Sequence, residues 1–164
     1  MSNLLERKNV LKVKKYLENF DQSIKLIELN NTARTAQDAA NSLNKEVGSI
    51  VKSLVFKDVD NYFYLCLVSG DKYICINKLS KILNKEIFKA NADDVKKQTG
   101  FSIGGVSPIA HTHSPFKVLI DEHLNRFQNI YAAAGHPFVV FEITFKKICI
   151  MTKGQIEIIT VWLN

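Results

Sequence analysis

One lysine, Lys52, interrupts the run Ser49-Ile-Val-Lys-Ser-Leu-Val-Phe56, which is otherwise apolar on both alternating faces. An ammonium there carries a desolvation cost unless it meets a partner or opens into a cleft. So placed, it donates hydrogen bonds to a substrate carbonyl or phosphate, or acts as a base if its pKa is depressed; the plainer alternative is a lysine snorkelling from a strand end or edge. Ser53 follows at once, and on a strand the two side chains point to opposite faces, which argues against a Ser-Lys dyad. The second candidate is Gly100-Phe-Ser-Ile-Gly104-Gly105-Val-Ser107-Pro108. Adjacent glycines either present backbone N–H groups into a concavity, as in a phosphate or oxyanion site, or make an ordinary tight turn. The stretch is neither a Walker A loop nor a dinucleotide fingerprint.

His111 and His113 form an HxH pair, which on a strand would share one face, yet no third or fourth ligand lies at metal-site spacing. No metal is therefore expected. His136, in Gly135-His136-Pro137, reads either as a site residue or as an exposed turn histidine. Nucleophile templates are missing: there is no GxSxG, and Cys66, Cys75 and Cys149 sit in apolar runs without a CxxC pair, as small buried hydrophobes in a reducing compartment do. Hydrolysis by this chain would use water and positioned donors.

The elements that must position these residues follow from periodicity. Leu4, Val10, Val13, Leu17 and Phe20 predict an amphipathic helix over about 4–20, with Lys8, Lys12, Lys14 and Lys15 on its other faces. Ile24 to Leu29 suggests a short strand, and Thr35 with Asp38 predicts a capped helix with a small alanine face. The Lys52 run reads as an interior strand. Tyr62–Val68 and Tyr73–Ile76, joined by Ser69-Gly70-Asp71-Lys72, carry a hairpin signal. Helices are expected at 77–83 and 92–98, the latter opened by Asn91 and closed by Gly100. Strands follow at 117–120, 130–133 and 138–143, then a helix or turn at 144–151 and a last strand at 155–162. With no linker or repeat, residues 1–164 form one α+β domain.

The chain has 164 residues, 46% of them hydrophobic, enough to bury a core without disulfides. Its 22 basic and 16 acidic residues leave a net charge of +6, which attracts a polyanion; the basic side chains are scattered and mostly lysine, so phosphate-backbone contact is more natural than base reading. No apolar leader or spanning run is visible, and a soluble cytoplasmic protein is expected.

Taken in order, Thr35-Ala-Gln-Asp-Ala-Ala40, Ile50-Val-Lys52-Ser53-Leu-Val-Phe56, Gly104-Gly105-Val-Ser107-Pro108, Asp121-Glu122 and Ala134-Gly135-His136-Pro137 resemble the YbaK/EbsC family of prolyl-tRNA editing domains. The resemblance covers most of the chain from about residue 24. It implies a mixed, partly barrel-like sheet with flanking helices, and hydrolysis of the ester joining a small wrong amino acid to tRNA, typically tRNA for proline. It further implies that Lys52 is the principal functional side chain and that Ser53, Gly104, Gly105, Ser107, Gly135 and His136 contact the aminoacyl end. No metal or organic cofactor is implied; mischarged tRNA and prolyl-tRNA synthetase are the implied partners. A module of this fold that binds tRNA or a nucleotide without hydrolysis is the competing reading.

Overall fold

Val10, Val13 and Leu17 recur on one face of helix α1 (Lys8–Phe20) and are fully buried there, which fixes the helix against the sheet edge formed by β7 (Asn129–His136). Each such aliphatic side chain contributes about 1.5–3 kcal/mol on burial. The computed structural model describes residues 3–30 and 33–162. Around α1 the chain runs β1 (Leu26–Glu28), α2 (Ala36–Leu43), β2 (Val51–Asp58), β3 (Phe63–Ser69), β4 (Lys72–Ile74), α3 (Ile76–Leu83), β5 (Ile87–Lys89), α4 (Ala92–Thr99), β6 (Lys117–Asp121), β7, β8 (Val139–Thr144), α5 (Phe145–Thr152), β9 (Gln155–Glu157) and β10 (Thr160–Trp162).

The helix starts follow their sequence signals. Thr35 and Asp38 close a reciprocal capping box on α2, Asn91 caps α4 through the Asp94 N–H, and Gly100 ends α4 in the left-handed region. The mixed five-stranded sheet has the order β5-β2-β3-β6-β9, beside a three-stranded β1-β8-β7 sheet and a β4-β10 ribbon. The mixed sheet with flanking helices is the expected architecture, and these sheets are not closed into a barrel.

The five-stranded sheet is covered on both faces. Val51, Val55, Leu65 and Leu67 point into the main core with α1, β7 and β8, while Leu54, Phe56, Tyr64, Cys66 and Val68 pack on the other side with Leu79 of α3. Lys52, by strand alternation, stands on this second face. An isolated parallel bridge between Ile50 and Tyr131 joins the start of β2 to β7, so from that bridge both strands advance together.

Two expectations fail. The hairpin across Ser69–Lys72 does not form; β4 leaves β3 and pairs antiparallel with β10, with Trp162 opposite Lys72. Long-range contacts override the turn signal here, because Arg126 holds Asp71 with two hydrogen bonds of 2.8 and 3.0 Å and Trp162 stacks on the Lys72 ammonium. Nor is 155–162 one strand. β9 runs parallel to β6, after which the buried Asp121 carboxylate takes hydrogen bonds from Ile159 N and Thr160 Oγ1 and turns the chain into β10. Among the described residues no helix is long and apolar enough to cross a membrane.

Candidate active site

Lys52 is half-buried, and its Nζ donates a hydrogen bond to the backbone carbonyl of Lys72, with the Tyr73 ring centroid 5.5 Å away. Desolvation lowers its pKa from the usual lysine value, an effect that the nearby Asp71 carboxylate opposes. The arrangement is an ammonium with one neutral acceptor and no adjoining carboxylate bond, leaving two of its three donors for another group. Ser53, its neighbour on β2, has a buried Oγ that is the one such side-chain atom among the described residues without a hydrogen-bond partner. A buried hydroxyl left unbonded costs about 1–3 kcal/mol.

Gly105, Gly135 and His136 come together around one cavity of about 510 Å³, completed by Ser102, Pro137 and the first turn of α1 at Arg7–Asn9. Close approach is what the glycines permit. A Cβ on Gly105 would lie 3.0 Å from the His136 Cα and within 3.2 Å of two further backbone atoms, so the 102–105 turn and the 135–137 turn touch backbone to backbone. Gly104 adopts φ +93° beside Pro137, and Gly135 adopts φ +87° with its missing Cβ aimed at the Asn9 carbonyl 2.8 Å away.

The Gly105 N–H is taken up by the Ser102 carbonyl at 2.9 Å, closing the turn. It is therefore not available to an oxyanion, whereas the N–H groups of Gly104 and Val106 have no hydrogen bond among the described residues. Ser107 is fully buried and lies off the cavity: its Oγ accepts from Ile109 N and its carbonyl accepts from His111 Nε2 at 2.7 Å. The Ser107 carbonyl and hydroxyl both hold the loop's descent to His111. Lys52 does not line the 510 Å³ cavity either. It stands two residues past the Ile50–Tyr131 bridge, about 7 Å along the strand, in the direction in which β7 runs toward Gly135.

His136 at the cavity and His111 beyond the Ser107 loop are both shifted toward the neutral form. Burial lowers the pKa of His111, against the raising effect of its bond to Ser107, and lowers that of His136, where the Arg7 charge adds to it. His136 Nδ1 also accepts the Phe138 N–H at 3.0 Å, which requires that nitrogen to be unprotonated and leaves its proton on Nε2. Among the described residues no group of three or more His, Cys, Asp or Glu is placed to hold a metal. Because both histidines bind protons more readily when unfolded, stability is expected to fall as pH drops below about 6.5, the ordinary histidine value. A second loss is expected as pH falls below about 3.8, where the unfolded chain takes up protons on Asp58, Asp71 and Asp94 that the fold still holds ionised, until their lower folded values are passed. Thermal midpoints measured from pH 8 to 3 check this; a flat profile between 7 and 5 refutes the histidine assignment.

Sequence reading missed Lys72, Asp121 and Arg126. Lys72 is 2% exposed, with Nζ 3.8 Å from the Trp162 ring centroid, and its carbonyl is the acceptor for Lys52. Asp121 also binds His123 Nδ1 at 2.8 Å. Only the Asp121-Glu122 pair had been visible, as a motif without an assigned role.

With this geometry in view, a sequence model described as the aminoacyl-tRNA editing domain matches residues 30–148. A crystal structure provisionally assigned as a trans-editing enzyme for prolyl tRNA synthetase superposes with a TM-score of 0.89 at 33% identity, covering 94% of this chain and 98% of that one. An Enterococcus faecalis protein, EbsC, provisionally named a Cys-tRNA(Pro)/Cys-tRNA(Cys) deacylase, is 28% identical over 127 residues, 77% of each chain. A proline–tRNA ligase of Fervidobacterium nodosum is 35% identical over 97 residues, 58% of this chain but only 16% of the ligase.

Proposed function

Because the chain belongs to the aminoacyl-tRNA editing domain family, we propose that it is a trans-acting deacylase that hydrolyses the ester of mischarged tRNA. The tRNA in this reading is that for proline, carrying a small wrong residue such as alanine, 2-aminobutyrate or cysteine. The resemblance to a proline–tRNA ligase segment and to a deacylase named for Cys-tRNA(Pro) supports that choice, and prolyl-tRNA synthetase is the synthetase with which such an enzyme would work. The observation that carries the reading is the meeting of the 102–105 turn with Gly135–His136 around one cavity, backbone against backbone.

An aminoacyl ester is already activated, so orientation and electrostatic stabilisation suffice without a protein nucleophile. In this mechanism Lys52 leaves the Lys72 carbonyl and donates to oxygens of the aminoacyl end. The N–H of Gly104, beside Pro137 at the cavity's rim, is the backbone donor in this reading for the charge that develops on the carbonyl oxygen. Neutral His136, with its proton on Nε2, is a donor that adds no charge to the cavity. Water attacks the carbonyl carbon, and as the tetrahedral intermediate collapses the proton that this water gives up reaches the leaving ribose oxygen, through solvent or by relay through the neighbouring ribose hydroxyl, which takes up one proton as it passes one on.

Deacylation of tRNA for proline charged with alanine, 2-aminobutyrate, cysteine or proline tests the reading; rapid loss of a small wrong residue with prolyl-tRNA spared is expected. Raising salt is expected to weaken all substrates together through the phosphate contacts that the +6 charge attracts, leaving their order intact. Pocket selection is worth only about 1–3 kcal/mol per methylene and does not involve phosphate. Salt that reorders the substrates contradicts this separation, and no turnover on any of them removes the enzymatic reading.

A further inference from the structure

One to two turns beyond Asn9, helix α1 leaves the cavity and lines a second depression, an open groove of about 760 Å³ between α1, the 108–118 segment and the turn that follows α5. Its walls contain Lys12, Lys15, Lys117 and Lys153 and no Asp or Glu. None of these four ammonium groups enters an ion pair among the described residues, although six such contacts are formed elsewhere on the molecule. Two aromatic side chains, Tyr16 at 41% and Phe116 at 57% exposure, stand on the same groove. Unneutralised lysines lining one groove repel each other, which favours a polyanion there; the Tyr16 ring and the face of Phe116 turned away from Tyr62, on which it stacks at 4.8 Å, suit contact with bases.

The groove and the cavity are linked through the chain itself. α1 contributes Arg7–Asn9 to the cavity and Lys12–Asn19 to the groove; the loop contributes Gly105 to the first and Pro108–His111 to the second. An RNA strand whose terminal residue enters the cavity therefore meets the groove within about 10 Å of helix length.

We infer that this groove seats the phosphate backbone of the RNA strand leading to the aminoacylated end, with Lys12, Lys15, Lys117 and Lys153 on phosphates and Tyr16 and Phe116 against bases or ribose. The inference takes tRNA as the RNA from the reading above. The groove thereby supplies binding to the body of the substrate at a surface separate from the cavity that holds its reacting end.

The test is binding of uncharged tRNA for proline at several salt concentrations. Replacing all four lysines (Lys12→Ala, Lys15→Ala, Lys117→Ala, Lys153→Ala) is expected to make the log Kd against log salt plot shallower by about 3 and to raise Kd at least ~30-fold near 0.1 M salt. Tyr16→Ala alone is expected to weaken binding about tenfold. The comparison set Lys25→Ala, Lys45→Ala, Lys81→Ala, Lys89→Ala removes the same charge from exposed lysines outside the groove and is expected to change Kd less than about threefold. Lys15→Glu in the otherwise native protein provides a single-site check, and equal unfolding midpoints establish that each protein is folded. Equal losses from the two lysine sets overturn the inference in favour of diffuse charge attraction. Unchanged RNA affinity and slope in the groove variant overturn it as well and leave the surface to a protein partner. Since the RNA is uncharged, a protein that binds through the groove but deacylates nothing contradicts the functional reading alone. A protein that deacylates while its groove variant binds as before contradicts this inference alone.

Discussion

Lys52→Ala is expected to reduce deacylation at least 10²- to 10³-fold, the range associated with loss of one charged or oxyanion donor, while leaving the thermal midpoint within a few degrees. The asymmetry follows from the energetics of the side chain. Its ammonium is disfavoured by desolvation in the fold and is held by one neutral carbonyl, so its removal relieves a cost as well as breaking a bond. Acting as a cation, Lys52 would lose its role when deprotonated. Activity, corrected for spontaneous ester hydrolysis, is therefore expected to fall as pH rises through a pKa below 10.5, the ordinary lysine value. Lys52→Arg is expected to be poor at every pH, because a planar guanidinium does not replace a compact ammonium, but its residual rate should show no alkaline decline. Near-native turnover by the alanine variant would remove Lys52 from the mechanism.

Gly135→Ala is expected to be the most damaging single-methyl change at the cavity, costing about 2–4 kcal/mol. Two effects combine: the residue has φ +87°, where a side chain is strained, and the new Cβ would lie 2.8 and 2.9 Å from the carbonyl oxygen and carbon of Asn9. Those atoms belong to α1, which is pinned by Val10, Val13 and Leu17 and does not yield without disturbing the core. For a chain of 164 residues a loss of this size lowers the thermal midpoint by roughly 5–15 °C. Deacylation by the folded fraction should fall too, since Arg7–Asn9 and Gly135 line the same cavity. A midpoint within 2 °C of the native protein would show that the close approach is not sustained in solution.

What the sequence made legible was local. Thr35 and Asp38, Asn91 and Gly100 act where their types predict, because capping depends on residues within a few positions of each other. The order of the motifs identified the family, and Gly105, Gly135 and His136 do share one cavity. What escaped depended on partners far along the chain. Ser69-Gly70-Asp71-Lys72 is good hairpin chemistry, and only Arg126 and Trp162, more than fifty residues away, draw it into a different pairing. Lys72 looked like a turn lysine, yet it is buried, since its burial is set by an indole at the far end of the chain. The bonds by which the Ser107 hydroxyl and carbonyl brace the loop were likewise not legible from its motif. The Ser53 Oγ gave no sign in the sequence of being without a partner.

The chain contains a single tryptophan, and it is Trp162, stacked on a buried ammonium with Arg126 5.0 Å from its ring and His123 edge-on at 5.8 Å. Its fluorescence is therefore an optical reporter of one small element, the β4–β10 ribbon whose Lys72 carbonyl holds Lys52. Far-ultraviolet dichroism averages over every helix and sheet, so the two signals view the same denaturant titration from different places. If they coincide, the ribbon melts with the rest of the domain as one cooperative unit; if fluorescence changes first, the segment that holds the Lys52 ammonium opens in a protein that is otherwise intact.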